Sequence, residues 1–322
     1  MKLDAPLFAV IDLGSNAFRM MIGKPDILDA RRGIQEVETL REQVRLAEGL
    51  HGNALDDYAL RRGWKALERF GERLRGFDPG RVRAVATNTV RVAANSAEFL
   101  TEAQQRLGFQ IDVISGHEEA RLVYAGVAHA QPDADKTRLV VDIGGGSTEL
   151  IVGQGDRPLL IESLPIGSGV FSKQYFPAGR IDSQAMQQAE RAASRAIEQV
   201  AHRYHEHAWQ QAIGSSGTAR MLAKVLRAGA LNDKGQTGIT YKGLLRLSLR
   251  LLEAGRLDQL TLPGLDTQRS STLPGGVAVM LAVFKTLGIE TMTPSGPALR
   301  LGVLHHLMRD TLATHSATRQ LH

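Results

Sequence analysis

The sequence contains no cysteine. That removes disulfide frameworks, thiolate zinc sites and cysteine nucleophiles together. Aromatic residues are sparse, 5% of 322 positions with only two Trp, which argues against binding of single-stranded nucleic acid by stacking of bases on rings. Long apolar runs are missing as well: the longest covers eight residues, Val277 to Phe284, against about 20 for a membrane-crossing helix. The opening Met1-Lys2-Leu3-Asp4 leads through one short apolar strand to Asp12, so no signal peptide is read there. The expectation is a cytoplasmic protein with no membrane and no nucleic acid among its partners.

What is present points to an ordinary α/β chain with a taste for anions. Hydrophobic residues make up 43% and charged residues 23%, enough to bury a core in each of about two domains. The formal net charge of +5 favours an anionic substrate. With few rings to stack on, an anion rich in phosphates fits best.

Two passages share one design. Leu7-Phe8-Ala9-Val10-Ile11 reads as a buried strand that ends in Asp12-Leu13-Gly14-Ser15-Asn16, and apolar residues resume at Met20-Met21-Ile22 before Gly23. Leu139 to Gly153 repeats this without a gap, so that Asp12 meets Asp142, Gly14 meets Gly144 and Gly23 meets Gly153. Each is a β-hairpin, and a period of 130 residues means two related domains rather than a solenoid. Between them lie a strand near 36–40, an Arg-rich helix over 55–74, a strand at 82–86, a helix over 96–107 with Asn95 as its cap, and a strand over 110–114 leading to a helix from His117. After the second hairpin a strand ends at Ser163–Gly167. A long helix spans 183–207, a strand 209–213 turns at Gly214–Thr218 onto a helix over 219–226, and helices cover 277–287 and 298–312. The polar, Gly-rich stretch 228–240 reads as a loop. Alternating strands and helices imply α/β architecture.

Glycine turns after buried strands let backbone N–H groups converge on an anion, since no Cβ blocks the approach. Gly144-Gly145-Gly146-Ser147-Thr148 and the smaller Gly14-Ser15-Asn16 are such turns, each preceded by a strand-end carboxylate, Asp142 or Asp12. A carboxylate beside a phosphate cradle calls for a cation between them, and carboxylate, phosphate oxygen and water make the usual magnesium environment. The plain alternative is a hairpin turn using Gly and Asp for conformation. Neither a dinucleotide-binding G-x-G-x-x-G nor a P-loop fits, because the one Gly-Lys pair, Gly23-Lys24, precedes Pro25. Thr87-Asn88-Thr89-Val90-Arg91 offers hydroxyl, amide and guanidinium groups after a strand. Glu118-Glu119 opens a helix, either complementing its dipole or supplying a general base. His202, His205 and His207 read as a solvated face, and His305-His306 as neighbours pointing apart. Nine Lys/Arg crowd residues 61–91, as a solvated helix face or as a basic track for a long polyanion.

Phe8–Asn16, Ala86–Asn95, Ile114–Arg121, Val141–Glu149, Ser163–Gly167 and the Gly214–Thr218 turn together resemble the signature blocks of the exopolyphosphatase / guanosine pentaphosphate phosphohydrolase (Ppx/GppA) family, in order and over nearly the whole chain, from about Phe8 to Leu307. The resemblance implies two actin-like (ribonuclease H-like) domains, 1–124 and 125–298, with an active-site cleft between them and a last helix over 299–314 packing back on the first. It implies Mg²⁺- or Mn²⁺-dependent hydrolysis of terminal phosphate from inorganic polyphosphate, or of the 5′ γ-phosphate from guanosine pentaphosphate, by a cytoplasmic homodimer. Residue by residue, Glu119 would be the base for water, Glu149 would assist it or hold the metal, and Asp12 and Asp142 would bind the metal. Gly14, Ser15, Asn16, Thr87, Asn88, Arg91, Gly144, Gly145, Gly146, Ser147 and Thr148, with the turn Gly214, Ser215, Ser216 and Gly217, would cradle phosphates. Arg19 and Arg269 would face the anionic chain beyond. The family's Leu-Arg-Glu-Gly pattern reads Leu299-Arg300-Leu301-Gly302 here, and the C-terminal helical domain of longer members is not expected. Two other functions compete: an ATP-dependent small-molecule kinase, disfavoured by the blocks at 87–95 and 114–121, and a non-catalytic sensor of (p)ppGpp or polyphosphate, disfavoured by retention of Glu119, Asp142 and Glu149. The basic composition leans towards polyphosphate over guanosine pentaphosphate or tetraphosphate.

Overall fold

The computed structural model describes residues 5–26, 33–131, 135–296 and 298–319, with side chains as far as 311. The Met1–Asp4 start and the side chain of Leu312, both used in reading the sequence, lie outside the described residues. In chain order the elements are β1 (Phe8–Leu13), β2 (Phe18–Pro25), β3 (Ile34–Glu42), the short pair β4 (Leu50–His51) and β5 (Ala54–Leu55), α1 (Asp57–Arg73), β6 (Val82–Ala86), α2 (Asn88–Val92), α3 (Ser96–Leu107), β7 (Ile111–Val113) and α4 (Gly116–Ala130). There follow β8 (Thr137–Ile143), β9 (Thr148–Gln154), β10 (Arg157–Leu164), α5 (Ser168–Tyr175), α6 (Ser183–Glu206), β11 (Gln211–Gly214), α7 (Gly217–Ala228), β12 (Ile239–Thr240), α8 (Tyr241–Ala254), α9 (Leu273–Leu287), β13 (Thr291–Pro294) and α10 (Ala298–Arg319).

The chain divides into two units, Met1–Ala130 with Leu299–His322, and Gln131–Ala298. The division falls after α4 and not at 124/125, because α4 is one uninterrupted helix whose buried residues run through Val127. In the first unit the sheet order is β3-β2-β1-β6-β7, antiparallel across β3-β2-β1 and parallel across β1-β6-β7. In the second it is β10-β9-β8-β11-β13-β12, again antiparallel over the first three strands and parallel over the next two junctions, with β12 added antiparallel at the edge. Counted within each unit, both sheets follow the ribonuclease H-like order 3-2-1-4-5 of an actin-like domain. The hairpins match residue for residue: Leu13 pairs with Phe18 and Asp12 with Arg19, as Ile143 pairs with Thr148 and Asp142 with Glu149.

The unbroken apolar run of β1 has a physical cause. Central strands covered on both faces need apolar residues at every position. Ala9, Ile11 and Leu13 pack towards α1 and α3, against Leu67, Phe70, Phe99 and Leu107. Phe8 and Val10 pack the other way, with Met21, Val85 and Leu122, under Val303, Leu304 and Met308 of α10. Helix α1 buries Ala59, Leu60, Gly63, Ala66, Leu67 and Phe70 at helical spacing and is capped by Asp56, whose side chain accepts from the Ala59 N–H at 2.7 Å. The second unit has one large core centred on α9, buried on all sides among α5, α6 and α8. The stretch Thr267–Leu287 is apolar and long enough to cross a membrane by length and composition, yet 72% of its most apolar window is buried inside the protein. Its apolarity is that of a core helix.

Three local readings differ from the sequence expectation. Asn95 precedes α3 but makes no capping bond. Its amide instead accepts from the Leu55 N–H at 2.9 Å and donates to the Leu55 carbonyl at 3.0 Å, tying β5 to the start of α3. The loop read over 228–240 ends in β12, and a whole helix, α8, follows it with Leu244, Leu247 and Leu251 inward. A short helix, α2, for which no helix was read, follows Thr87, which is itself extended.

Candidate active-site residues in each unit

The two glycine turns are built alike. A Cβ on Gly14 would stand 3.1 Å from the Ala17 carbonyl oxygen, and one on Gly144 would stand 3.2 Å from that of Ser147, its duplicated counterpart. In the first turn the carbonyls are engaged from behind: Ser15 O accepts from Ala47 N–H at 3.0 Å and Asn16 O from Arg45 N–H at 2.7 Å. The bracing segment is held in turn, since Arg62 of α1 donates to the Val44 and Arg45 carbonyls and Gln43 donates to the Asn16 side chain. Arg45 adopts a left-handed conformation, φ 51°. In the second turn Gly144 O accepts from Ser168 N–H, and Gly145 O from Gly169 and Val170 N–H, at 2.9–3.0 Å. These donors are the first residues of α5. Among the described residues no backbone carbonyl accepts from the N–H of Gly145, Gly146 or Ser147. Carbonyls drawn back and amides left over are what an anion-binding nest requires.

Side chains along the turns divide into two kinds. Ser15 and Ser147 are buried at the turns themselves. Thr148 departs from its expected place in the cradle: it is fully buried and its hydroxyl donates to the Ile166 carbonyl at 2.5 Å. Its role is to hold the Ser163–Gly167 segment. Gly167 is needed there, because a Cβ would lie 2.6 Å from backbone atoms of Gly145 and Gly146. Thr87 is buried and Asn88 half-buried where β6 passes into α2.

The third turn, Gly214–Thr218, joins β11 to α7. Ser216 caps α7 by accepting from Ala219 N–H at 3.0 Å, and Ser215 donates its hydroxyl to Asp142 Oδ2 at 2.5 Å. Arg269 lies against this turn, its guanidinium occupying the space that a side chain at Gly217 would need. The structure therefore brings Asp142, the Ser215 hydroxyl and the 214–218 turn together, with Arg269 beside the turn.

The carboxylates are individually placed. Glu119 stands in the first turn of α4, with Arg91 Nη1 at 3.6 Å from its Oε2, and the same nitrogen donates to the Ile114 carbonyl at 2.8 Å. Arg91, expected on phosphate, thus stands as a cation beside the carboxylate expected to act as base. Glu118 by contrast pairs with Arg121 on its own helix. Glu149 is 1% exposed, and its Oε1 accepts from the Ser163 hydroxyl at 2.8 Å. Asp12 is buried with Oδ2 at 3.4 Å from Arg300 Nη1. Leu301, at the position of the resembled family's Glu, packs against the apolar cluster under α10. Reading the sequence assigned no role to Ser163, Gly167, Ser168 or Arg300; the blocks 163–167 and 299–302 were visible as patterns, but what each residue touches lies far away along the chain.

Much of the positive charge in the basic 61–91 stretch is paired with carboxylates, as on a solvated helix face. Arg69 meets Glu42, Arg73 meets Glu38, Arg75 meets Glu72, Arg81 meets Asp78 and Arg83 meets Asp112. Grooves of about 640 Å³ beside α3 and about 750 Å³ between α6 and α9 contain none of the candidate residues. The His129 and His305 rings lie 4.8 Å apart, with His306 6.2 Å from His305.

For a divalent metal, no three His, Cys, Asp or Glu among the described residues come close enough to enclose an ion. Magnesium is commonly held by one or two carboxylates and completed by water and substrate phosphate. Asp142 and Glu149, hard oxygen donors paired directly across β8 and β9, fit that manner of holding.

A family model described as the Ppx/GppA phosphatase family matches residues 27–311. The crystal structure of an exopolyphosphatase from Cytophaga hutchinsonii is similar with a TM-score of 0.81 at 22% identity, over 94% of this chain and 98% of that one. An exopolyphosphatase-like protein gives 0.83 at 23% identity, over 96% and 99%. The Ppx/GppA enzyme of Aquifex aeolicus gives 0.72 at 22%, over 93% and 98%. At such identities the shared property is the fold.

Proposed function

The chain belongs to the Ppx/GppA phosphatase family, and from that premise we propose that it is an exopolyphosphatase, releasing terminal phosphate from inorganic polyphosphate by attack of water. The observation that carries the choice is the makeup of the turns at 14–16 and 144–147, which offer amides and hydroxyls with their carbonyls drawn back, and no ring among the candidate residues on which a guanine could stack. A phosphate chain needs only donors and positive charge.

In this reading the turns hold the terminal phosphate. Glu119 accepts a proton from water as its oxygen attacks the terminal phosphorus. The bridging P–O bond breaks, and its electron pair stays with the oxygen of the shortened chain. Arg91 keeps the Glu119 carboxylate oriented for this transfer. Ser163 and Ser215 fix Glu149 and Asp142, which would hold Mg²⁺ or Mn²⁺. Such an ion supplies charge neutralisation for the transferred group. Arg19 and Arg269 contact the chain beyond. A cytoplasmic homodimer is part of the same proposal, and sedimentation of the purified protein tests its oligomeric state.

Orthophosphate release from long-chain polyphosphate and from guanosine pentaphosphate, side by side, with and without Mg²⁺, tests the substrate. Polyphosphate should be cleaved faster, only with the ion present, and Glu119→Gln should bind it but turn over at least about 100-fold more slowly. Faster release from the nucleotide would replace this reading by a pentaphosphate phosphohydrolase. Release from neither, with binding intact, would make the protein a sensor.

A further inference from the structure

The amides of the first glycine turn stay open because its carbonyls are held back. Among the described residues no backbone carbonyl accepts from the N–H of Ser15, Asn16 or Ala17, whereas the Ser15 and Asn16 carbonyls accept from Ala47 and Arg45. Those donors lie on a segment whose shape is not one a chain adopts freely. Arg45 sits at φ 51° and ψ 48°, a left-handed conformation that costs an L residue steric strain. Strain of this kind persists only where the surroundings over-determine it.

The group that does so is Arg62. Its Nε donates to the Val44 carbonyl at 2.7 Å and its Nη2 to the Arg45 carbonyl at 3.1 Å. One planar guanidinium thereby pins the peptide links on both sides of the strained residue, a task for which its rigid fork is suited. Tyr58, one turn earlier on α1, lays its ring 4.3 Å from the guanidinium carbon and keeps the fork in place. The other arginines of that helix, Arg61, Arg69 and Arg73, each meet a carboxylate. Arg62 differs in reaching the main chain behind the turn.

We propose that Arg62 is a positioning residue for the anion-binding turn. By pinning Arg45 it keeps the Ser15 and Asn16 carbonyls turned away and leaves the amides of residues 15–17 to a phosphate. It acts through Val44 and Arg45 and lies between the blocks Phe8–Asn16 and Ala86–Asn95. The role rests on the proposed function for the identity of the anion, a phosphate chain.

The test combines steady-state phosphate release from polyphosphate with calorimetric binding of inorganic triphosphate, both on the full-length protein. Arg62→Met, shown to be folded by circular dichroism, should raise KM about tenfold, the scale of one hydrogen bond to a charged group. Triphosphate binding should weaken in step, with kcat within about twofold of wild type, since the turn holds phosphate in the ground and transition states alike. Arg45→Gly added to Arg62→Met should bring KM back to within about threefold of wild type, because glycine enters the left-handed region freely. Arg61→Met, which removes only a surface pair with Asp57, should match wild type. Unchanged KM and triphosphate affinity in Arg62→Met would overturn the role of Arg62, as would a fall in kcat with KM unmoved, or no rescue by Arg45→Gly. Should Arg62→Met not fold, Arg62→Lys decides: an ammonium has no planar fork for the two carbonyls, so KM must still rise, and a wild-type KM overturns the role. Hydrolysis by the wild type separates the two proposals. Hydrolysis with the wrong Arg62 pattern overturns the role of Arg62 alone, and triphosphate binding with the right pattern but no hydrolysis overturns the proposed function alone. A wild type that neither binds nor hydrolyses overturns both.

Discussion

Replacing Gly302 by alanine puts one methyl group where α10 crosses α4. On an open helix this change would stabilise by about 1 kcal/mol. Here the added Cβ would collide with the Leu122 carbonyl oxygen, 2.8 Å from its carbon and 3.1 Å from the Gly126 nitrogen. All three are main-chain atoms of one helix, so no rotamer relieves the contact and the helices must part. Overpacking of this kind costs about 1–3 kcal/mol, and separation also loosens Val303, Leu304 and Met308 from Phe8, Val10 and Val85. A collision with three main-chain atoms belongs in the upper part of that range, about 2–3 kcal/mol. After the alanine gain is subtracted, a net loss of about 1–2 kcal/mol remains, equivalent to a fall in Tm of about 2–8 °C for a domain of this size. Thermal unfolding followed by far-UV circular dichroism measures it. Gly296→Ala is the control, since a Cβ there meets nothing within 4 Å. A Gly302→Ala protein that melts with wild type would refute the close crossing of α10 and α4.

Gly167→Ala should displace the 144–146 turn, on whose backbone Gly167 rests, and raise the KM for polyphosphate by more than it lowers stability; unchanged kinetics would separate that turn from the substrate. Asn95→Ala removes both bonds to Leu55 and should cost about 1–3 kcal/mol, read by urea unfolding, whereas a cost typical of an exposed residue would show the bonds to be dispensable. Burial holds His305 and His306 below the ordinary 6.5. The unfolded chain then takes up protons first on acidification, so stability is full above about pH 6.5 and falls as pH drops towards the lowered folded values. His305→Gln should flatten the dependence of Tm on pH between 7 and 5, and an unaltered slope would place the titration elsewhere.

The hairpins were legible because everything that makes them is local: a two-sided apolar run, an acid, a glycine turn, and the same again 130 residues later. Helix α6 was readable from its apolar period and α1 as a polar, Arg-rich stretch, while their caps, Asp56 and Asp182, were local signals that the reading did not use. Helix α8 carried a readable signal, Thr240 as cap and leucines at 244, 247 and 251, which the Gly-rich stretch before it obscured. Helix α5 had none: its first N–H groups are fixed by carbonyls of Gly144 and Gly145, a tertiary cause. The candidate residues themselves could be picked out, but not what holds them. Ser215 reaches Asp142 over 73 positions and Arg300 reaches Asp12 over 288, and spacing in a sequence says nothing of contacts at that range. Thr148 was misplaced for the same reason, as its carbonyl acceptor is Ile166.

Helix α10 belongs to the unit that β1 begins, with all of residues 131–298 inserted between its two parts. During synthesis the strand residues Phe8, Val10 and Met21 must wait for Val303 and Leu304 to leave the ribosome before their second face, which α4 covers only in part, is closed. The later-made unit has no such dependence and is free to fold first. A chain halted before α10 would leave exposed the part of that sheet face that lies under Val303, Leu304 and Met308.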